Sequence, residues 1–447
     1  MKRLWLIVII VIAALIGSVL GWIWYVGPTG VESPHDGSRS LTESLTRGYH
    51  TTALLREFND DQVEQALIVI QNDWELRPSG GFITALGQAQ IRNGQLTNLS
   101  VVPSDFYDDA ISIEAPMPPG LAYRISTPNL TLRDANWDVD FATTAATISR
   151  YYHNATGLTP DIIVAITTKT AEQLLEQTGP LSFEVNGHVL EVNSQTVTST
   201  LEDYTDQNFR ELGLEWDNRK NVLSAFAGAL LPRIQLLSTE HPILLLRLIN
   251  DLLESHDLQA WSQTERISKH LMALGASQAV ESFVQGDALL VVDANVGARK
   301  TNSVIEQRFD YRIDLSTRPA RATLHITYTH TGEPQPTIID YYDTLRIYAP
   351  FGSSLKSTQE LDAVTEYSRH NRSVFEGRLI VAIGKSKTVT LEYEVPLAAS
   401  KLEDYQLLLE HQPGAFAAPV QITVFDGQQT ATIDTTLTRD SLLSVER

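Results

Sequence analysis

The sequence contains no cysteine among its 447 residues. Disulfides, thiolate catalysis and cysteine-held zinc are therefore excluded, and any folded domain must rely on packing alone. Positive charge is also scarce: 34 Lys and Arg stand against 54 Asp and Glu, a formal charge of −20. A nucleic-acid binder needs a basic footprint that releases phosphate counterions. Peripheral adsorption to anionic lipid needs the same sign of charge, so both classes are disfavoured. Taken alone, the acidity reads as solubility. Catalytic signatures are missing too. There is no His-Glu-x-x-His and no Gly-x-Ser-x-Gly, and Gly384-Lys385-Ser386 fails as a phosphate loop because its first glycine would have to be Leu379. The 11 histidines show no ligand spacing, which argues against a zinc enzyme or a hydrolase triad. No internal repeat stands out.

One long apolar run is present. Lys2 and Arg3 precede an uncharged stretch, Leu4–Val26, that ends in Trp22, Trp24 and Tyr25. At about 1.5 Å per residue it spans roughly 35 Å, enough to cross a bilayer core with some tilt. A removable signal peptide would be shorter and would end at small residues. The interfacial aromatics and the leading charges predict a retained helix in the lipid bilayer, with the N-terminus cytoplasmic and the rest of the chain extracytoplasmic. The expected localisation is the plasma membrane, single-pass. Residues 27–40, rich in Gly, Pro and Ser, read as a flexible stalk.

Beyond the stalk, a helix is expected near Leu41–Phe58 and a buried strand at Ala66–Gln71. Two Asn-Gly turns, Asn93-Gly94 and Asn186-Gly187, predict hairpins. Helices are expected at Phe141–Ala155 and Thr168–Thr178, the second stopped by Gly179-Pro180, with a strand at Asp161–Ile166 between them. Residues 196–283 read as mostly helical from their three- and four-residue apolar spacing. From Ser303 onward, seven β-rich runs with no helical signal predict an antiparallel β-sandwich. The expected organisation is a membrane segment (1–26), a stalk (27–40), an α/β (α+β) layered domain (41–300) and a β-sandwich (301–447).

Four blocks carry chemistry-bearing residues. Asn72–Phe82 packs Glu75 and Arg77 beside Gly80 and Gly81. Arg77 offers a planar fork for phosphate or carboxylate, or else braces the turn on Glu75 or Asp73. Arg133–Phe141 places Asp134, Asn136, Asp138 and Asp140 on alternate residues. It is not an EF-hand, because the required glycine is Val139 and the required bidentate acid is Ala145. A looser Mg²⁺ or Ca²⁺ site and simple helix capping both remain open there. Arg210, with Arg219 and Lys220 at the start of a long apolar helix, could serve an anionic ligand or be solvated surface cations. Asp293–Lys300 is a strand end leading into Asn295, Gly297, Arg299 and Lys300.

Together these blocks resemble a bacterial membrane family known as domain of unknown function 4012. The resemblance is carried by Gln71-Asn72, Glu75-Leu76-Arg77-Pro78, Gly80-Gly81-Phe82, Leu132–Trp137 with Asp140-Phe141, Gly179-Pro180, Asn295-Val296-Gly297 with Lys300, and Leu345–Tyr348 with Pro350 and Gly352. The order of elements is more distantly similar to the LytR-CpsA-Psr fold, whose members transfer glycans from polyprenyl-pyrophosphate carriers to the cell wall. That likeness implies Arg77 and Asp105 as catalytic residues and Asp105, Asp134 and Asp140 as Mg²⁺ ligands. Ligand binding would fall to Glu75, Gly80, Gly81, Asn136, Arg210, Arg219 and Lys220. Two of that fold's charged groups are absent at the matched positions, since Pro78, Ser79 and Gly80 follow Arg77 and Ser104 stands before Asp105. The expected function is therefore binding or scaffolding of envelope glycan or lipid-linked glycan. The alternative is a phosphotransferase that moves a polyprenyl-pyrophosphate-linked glycan onto a cell-wall acceptor.

Overall fold

Residues 41–58, 62–93, 95–125, 127–205, 221–277, 280 and 286–445 are described by a computed structural model. The expected membrane segment, the stalk, Arg210, Arg219 and Lys220 lie outside the described residues. The chain is a mixed α/β protein with several sheets, divided into two compact units. One takes the residues up to Gln71 with Ile83–Ser112 and Ala145–Gln278; the other takes Asn72–Phe82, Ile113–Thr144 and the chain from Ala279 on.

The first unit is layered. Helix α1 (Leu41–Glu57) precedes strand β1 (Val63–Arg77), and β2 (Gly80–Arg92) and β3 (Gln95–Pro103) form the first hairpin. Asn93 adopts φ 50° in its turn, the left-handed conformation that such turns need. Short helix α2 (Asp105–Asp108) follows; after α3 (Pro119–Ala122), which belongs to the other unit, come α4 (Phe141–Thr156), β4 (Ile162–Ile166) and α5 (Thr168–Thr178). Strand β4 pairs in parallel with β1, Val164 lying opposite Ile68. The second hairpin, β5 (Leu181–Val185) and β6 (His188–Val192), turns on Asn186 and Gly187, both at positive φ.

Helices α6 (Val197–Asp203), α7 (Asn221–Glu240), α8 (Pro242–Glu254) and α9 (Glu265–Ala273) complete this unit. They enclose a strand that the helical spacing concealed, β7 (Leu258–Trp261), which closes the five-stranded order β3-β2-β1-β4-β7. Helix α7 is long and apolar enough to cross a membrane. It buries one stripe, Val222, Phe226, Leu230, Ile234 and Leu237, in the core of this unit. Each such side chain contributes about 1.5–3 kcal/mol. Pro232 sits inside α7 without ending it.

The second unit holds two six-stranded sheets. Its strands are β8 (Asp287–Val292), β9 (Ile305–Asp314), β10 (Ala320–His330), β11 (Tyr341–Pro350), β12 (Ser354–Gln359), β13 (Asp362–Arg369), β14 (Arg372–Val381), β15 (Ser386–Val395), β16 (Gln406–Glu410), β17 (Ala418–Phe425), β18 (Thr430–Leu437) and β19 (Ser441–Ser444). The orders are β12-β15-β10-β9-β17-β18 and β13-β14-β11-β8-β16-β19. Apolar residues of both sheets, among them Tyr311, Leu324, Leu345, Phe375 and Leu407, form one buried cluster.

Two features depart from the sequence expectation. Each sheet contains a parallel pair, β16 with β8 and β17 with β9. The division also does not fall at a single point near residue 300. Strand β8 is central in its sheet, and the segments 72–82 and 113–144 belong to the β-rich unit.

Candidate functional site

The polar end of β1 is the unusual part of the β-rich unit. Asn72, Asp73, Glu75 and Arg77, with Ser79 just beyond the strand, are all buried, and Arg77 is 0% exposed. A buried guanidinium is costly unless nearly all its N–H groups find acceptors. Here they do. Nε donates to Asp134 Oδ1 at 2.8 Å, and an Nη donates to Glu75 Oε1 at 3.1 Å. The other Nη donates to the carbonyls of Asn295 and Leu76, and the group lies 5.5 Å from the Phe82 ring centre. Burial pulls the Arg77 pKa down, but the Asp134 and Glu75 carboxylates outweigh it and hold it above its ordinary value. Burial raises Glu75, opposed by Arg77. Burial likewise lowers Lys300 to about 8, against the pull of Glu75.

Around this cation the strand end is stitched to the start of the β-region by amides. Asn302 Oδ1 accepts from the Leu76 N–H and from Asn295 Nδ2, and Gln412 Nε2 donates to the carbonyls of Arg77 and Asp293. Gly81 allows a close approach, but to its own hairpin: a Cβ there would lie 2.1 Å from the Asn72 carbonyl oxygen. Asn136 secures the same turn by donating to the Gly81 carbonyl at 2.6 Å. Asp138 is held by Arg369 and by His370, whose Nε2 lies 2.7 Å from it. Its pKa is lowered, the cost of burial being outweighed by the His370 hydrogen bond and by the Arg369 guanidinium. Asp140 accepts the Thr143 N–H at 2.8 Å, the capping role for the start of α4.

A second buried acid group lies along the same network. Asp293 accepts from Tyr328 at 2.7 Å and Gln307 at 2.6 Å, one donor for each oxygen. Asp343 receives a long bond from Tyr341 at 3.3 Å and one from the Ala294 backbone, while its Oδ2 has no fixed donor. The two carboxyls interact, and burial together with the Asp293 charge raises Asp343 well above the carboxylate range. A proton on Asp343 that donates to Asp293 satisfies both groups. Tyr341 links the pair to Asn302 at 3.2 Å.

The structure thus gathers Glu75, Arg77, Gly80, Gly81, Asp134 and Asn136 in one closed network of the β-rich unit. Asp105 is not among them: it is half-buried and opens α2 in the other unit, after Ser104, whose hydroxyl donates to the Ile83 carbonyl. Among the described residues no group of three or more His, Asp and Glu is placed to hold a metal ion. Asp134 is engaged by Arg77 and Asp140 by a helix end, so these residues do not fit Mg²⁺ as one ligand set. Asn302, Gln412, Asp343, Tyr328 and Tyr341 were not legible as partners. For Asp343, Tyr328 and Tyr341 the sequence signal is a polar group at a core-facing strand position; Asn302 and Gln412 lie outside the strands and carry no such signal.

Residues 61–204 match the family model described as protein of unknown function (DUF4012). No curated protein matches the chain. Similar solved structures include protein gbs0355 from Streptococcus agalactiae. That likeness is 12% identical with a TM-score of 0.33, over 50% of this chain and 75% of that one. TagV from B. subtilis is 11% identical with a TM-score of 0.27, over 48% and 80%. Likenesses this weak carry no function across.

Proposed function

We propose that the protein is a membrane-anchored, extracytoplasmic component of the cell envelope that binds or scaffolds envelope glycan or lipid-linked glycan. The observation that carries the non-catalytic half of this reading is Arg77. Its N–H groups are spent on Asp134, Glu75 and backbone carbonyls, leaving no guanidinium edge turned to solvent. A pyrophosphate clamp needs such an edge free. The β-rich unit, read as a sandwich with a large outer surface, is the interaction device. Anchoring and compartment rest on the Leu4–Val26 stretch and its flanking charges.

The test is to add a polyprenyl pyrophosphate, with and without Mg²⁺, and separately isolated cell-wall glycan, to the purified protein. The expected outcome is glycan binding that needs no Mg²⁺, with no product of phosphoryl transfer. Mg²⁺-dependent turnover of the lipid pyrophosphate would establish the transferase reading instead.

A further inference from the structure

The β-rich unit carries arginines that behave unlike their neighbours. Arg312, Arg346, Arg369 and Arg372 each reach a carboxylate, on Asp310, Glu376, Asp138 and Glu410 respectively. In a chain with this excess of acid, that is the expected arrangement. Exposed Arg124, Arg308, Arg321 and Arg378 make no hydrogen bond or ion pair among the described residues; of these, Arg124 and Arg378 lie over aromatic rings.

They are nonetheless held in place. The Arg124 guanidinium carbon sits 3.8 Å from the centre of the Tyr342 ring, and that of Arg378 sits 4.5 Å from the centre of Tyr123. Tyr123 and Tyr342 pack against the same small cluster of Met117, Leu121 and Val296, so the two stacks share one patch. Its floor is fixed. Arg378 lies opposite Thr344 in the β11–β14 register, and Thr344 donates to the Gly120 carbonyl at 2.7 Å. Gly297 borders the patch, its Cβ position 3.6 Å from the Tyr342 ring. Two residues on, Arg299 is exposed and bonds only the carbonyl of Ala298.

Stacking uses the flat faces of a guanidinium and leaves its N–H edges available, the geometry suited to bidentate recognition of an oxyanion. Holding the planes in advance reduces the side-chain entropy lost on binding. We propose that Arg124 and Arg378, stacked on Tyr342 and Tyr123, form a binding site for the phosphate or carboxylate groups of an anionic glycan polymer. That the oxyanion is carried on a glycan rests on the function proposed above; the oxyanion chemistry rests on the patch alone. Asp362, opposite Arg378 across the β13–β14 pair and without an ion pair to it, is the acid that weakens the site.

The experiment measures binding of phosphomannan, polygalacturonate and neutral dextran to the full chain in a nonionic detergent. Wild type is expected to bind one or both charged polymers and not dextran, and which of the two binds identifies phosphate or carboxylate. Arg124→Gln and Arg378→Gln should each weaken binding about tenfold. Asp362→Asn should strengthen it. No binding of either charged polymer by wild type, or unchanged binding by the double Arg→Gln variant, would overturn the proposal. If the double variant loses the charged polymers but keeps isolated cell-wall glycan, the site stands and is one of several. If it keeps both, the site falls while the broader function survives. Wild type that binds no glycan at all ends both.

Discussion

Arg77 is the residue on which a surface role and a structural role predict different magnitudes. An exposed arginine cut back to alanine changes stability by no more than about 1 kcal/mol. Arg77→Ala instead leaves Glu75 and Asp134 buried without their cation, and is expected to cost about 3–5 kcal/mol in urea unfolding. Arg77→Lys should recover only part of that, because one ammonium cannot reach both acids and the Asn295 carbonyl in the same geometry. Asp287 offers a pH signature. It is fully buried, accepting from Tyr311 at 2.6 Å and Tyr405 at 2.8 Å, and burial raises its pKa to about 6 despite those bonds. The folded protein therefore holds a proton that the unfolded chain, titrating near 4, releases. This group's contribution is fully present below about pH 4 and is lost as pH rises through 6, a loss of about 2–3 kcal/mol. Asp287→Asn should remove that slope from the difference between variant and wild-type unfolding curves across pH 4–7. An unchanged slope would place the titration elsewhere.

At the scale of elements, two glycines in hairpins predict opposite severities. Gly187 has φ 80° and nothing within 4 Å of its Cβ position, so Gly187→Ala meets only backbone strain, about 1 kcal/mol. Gly81→Ala drives a methyl into the backbone of Asn72 and should cost about 3 kcal/mol or more, or prevent folding. Thermal unfolding of the two variants side by side checks the contrast. The same distinction separates what the sequence revealed from what it hid. Asn93 and Asn186 announce turns because the signal is local, and α5 ends at Gly179 for the same reason. Strand β13 is not legible because its side chains are largely exposed on both faces, leaving no period-two pattern. Strand β7 was lost inside a helical stretch because four residues are too few to show a period. Arg77 is legible as important, and its bracing by Glu75 is one of the two roles that its local sequence offers. The sequence resemblance implies Asp134 as a metal ligand, whereas its partner is an arginine 57 positions earlier, a pairing that no local pattern encodes.

For the whole molecule, the interleaving of the two units has a consequence for where the chain can be divided. A fragment of residues 301–447 follows the compositional shift near residue 300 and contains eleven of the twelve strands of the β-rich unit. It lacks β8, which lies between β11 and β16, pairing antiparallel with the first and parallel with the second. Without it one sheet separates into β13-β14-β11 and β16-β19, and buried Leu289 and Val291 leave the shared core. Residues 113–144 are also lost, exposing Thr344 and Arg346, which otherwise bond the Gly120 and Trp137 carbonyls. Edges and apolar surface opened in this way favour aggregation over folding. The fragment is therefore expected to be insoluble or to lack a cooperative unfolding transition, whereas residues 41–447 should unfold cooperatively. Near-ultraviolet circular dichroism and urea titration of both would decide it. A cooperatively folding 301–447 fragment would mean that β8 and the 113–144 segment are accessories to a self-sufficient domain, and that the boundary does lie near residue 300.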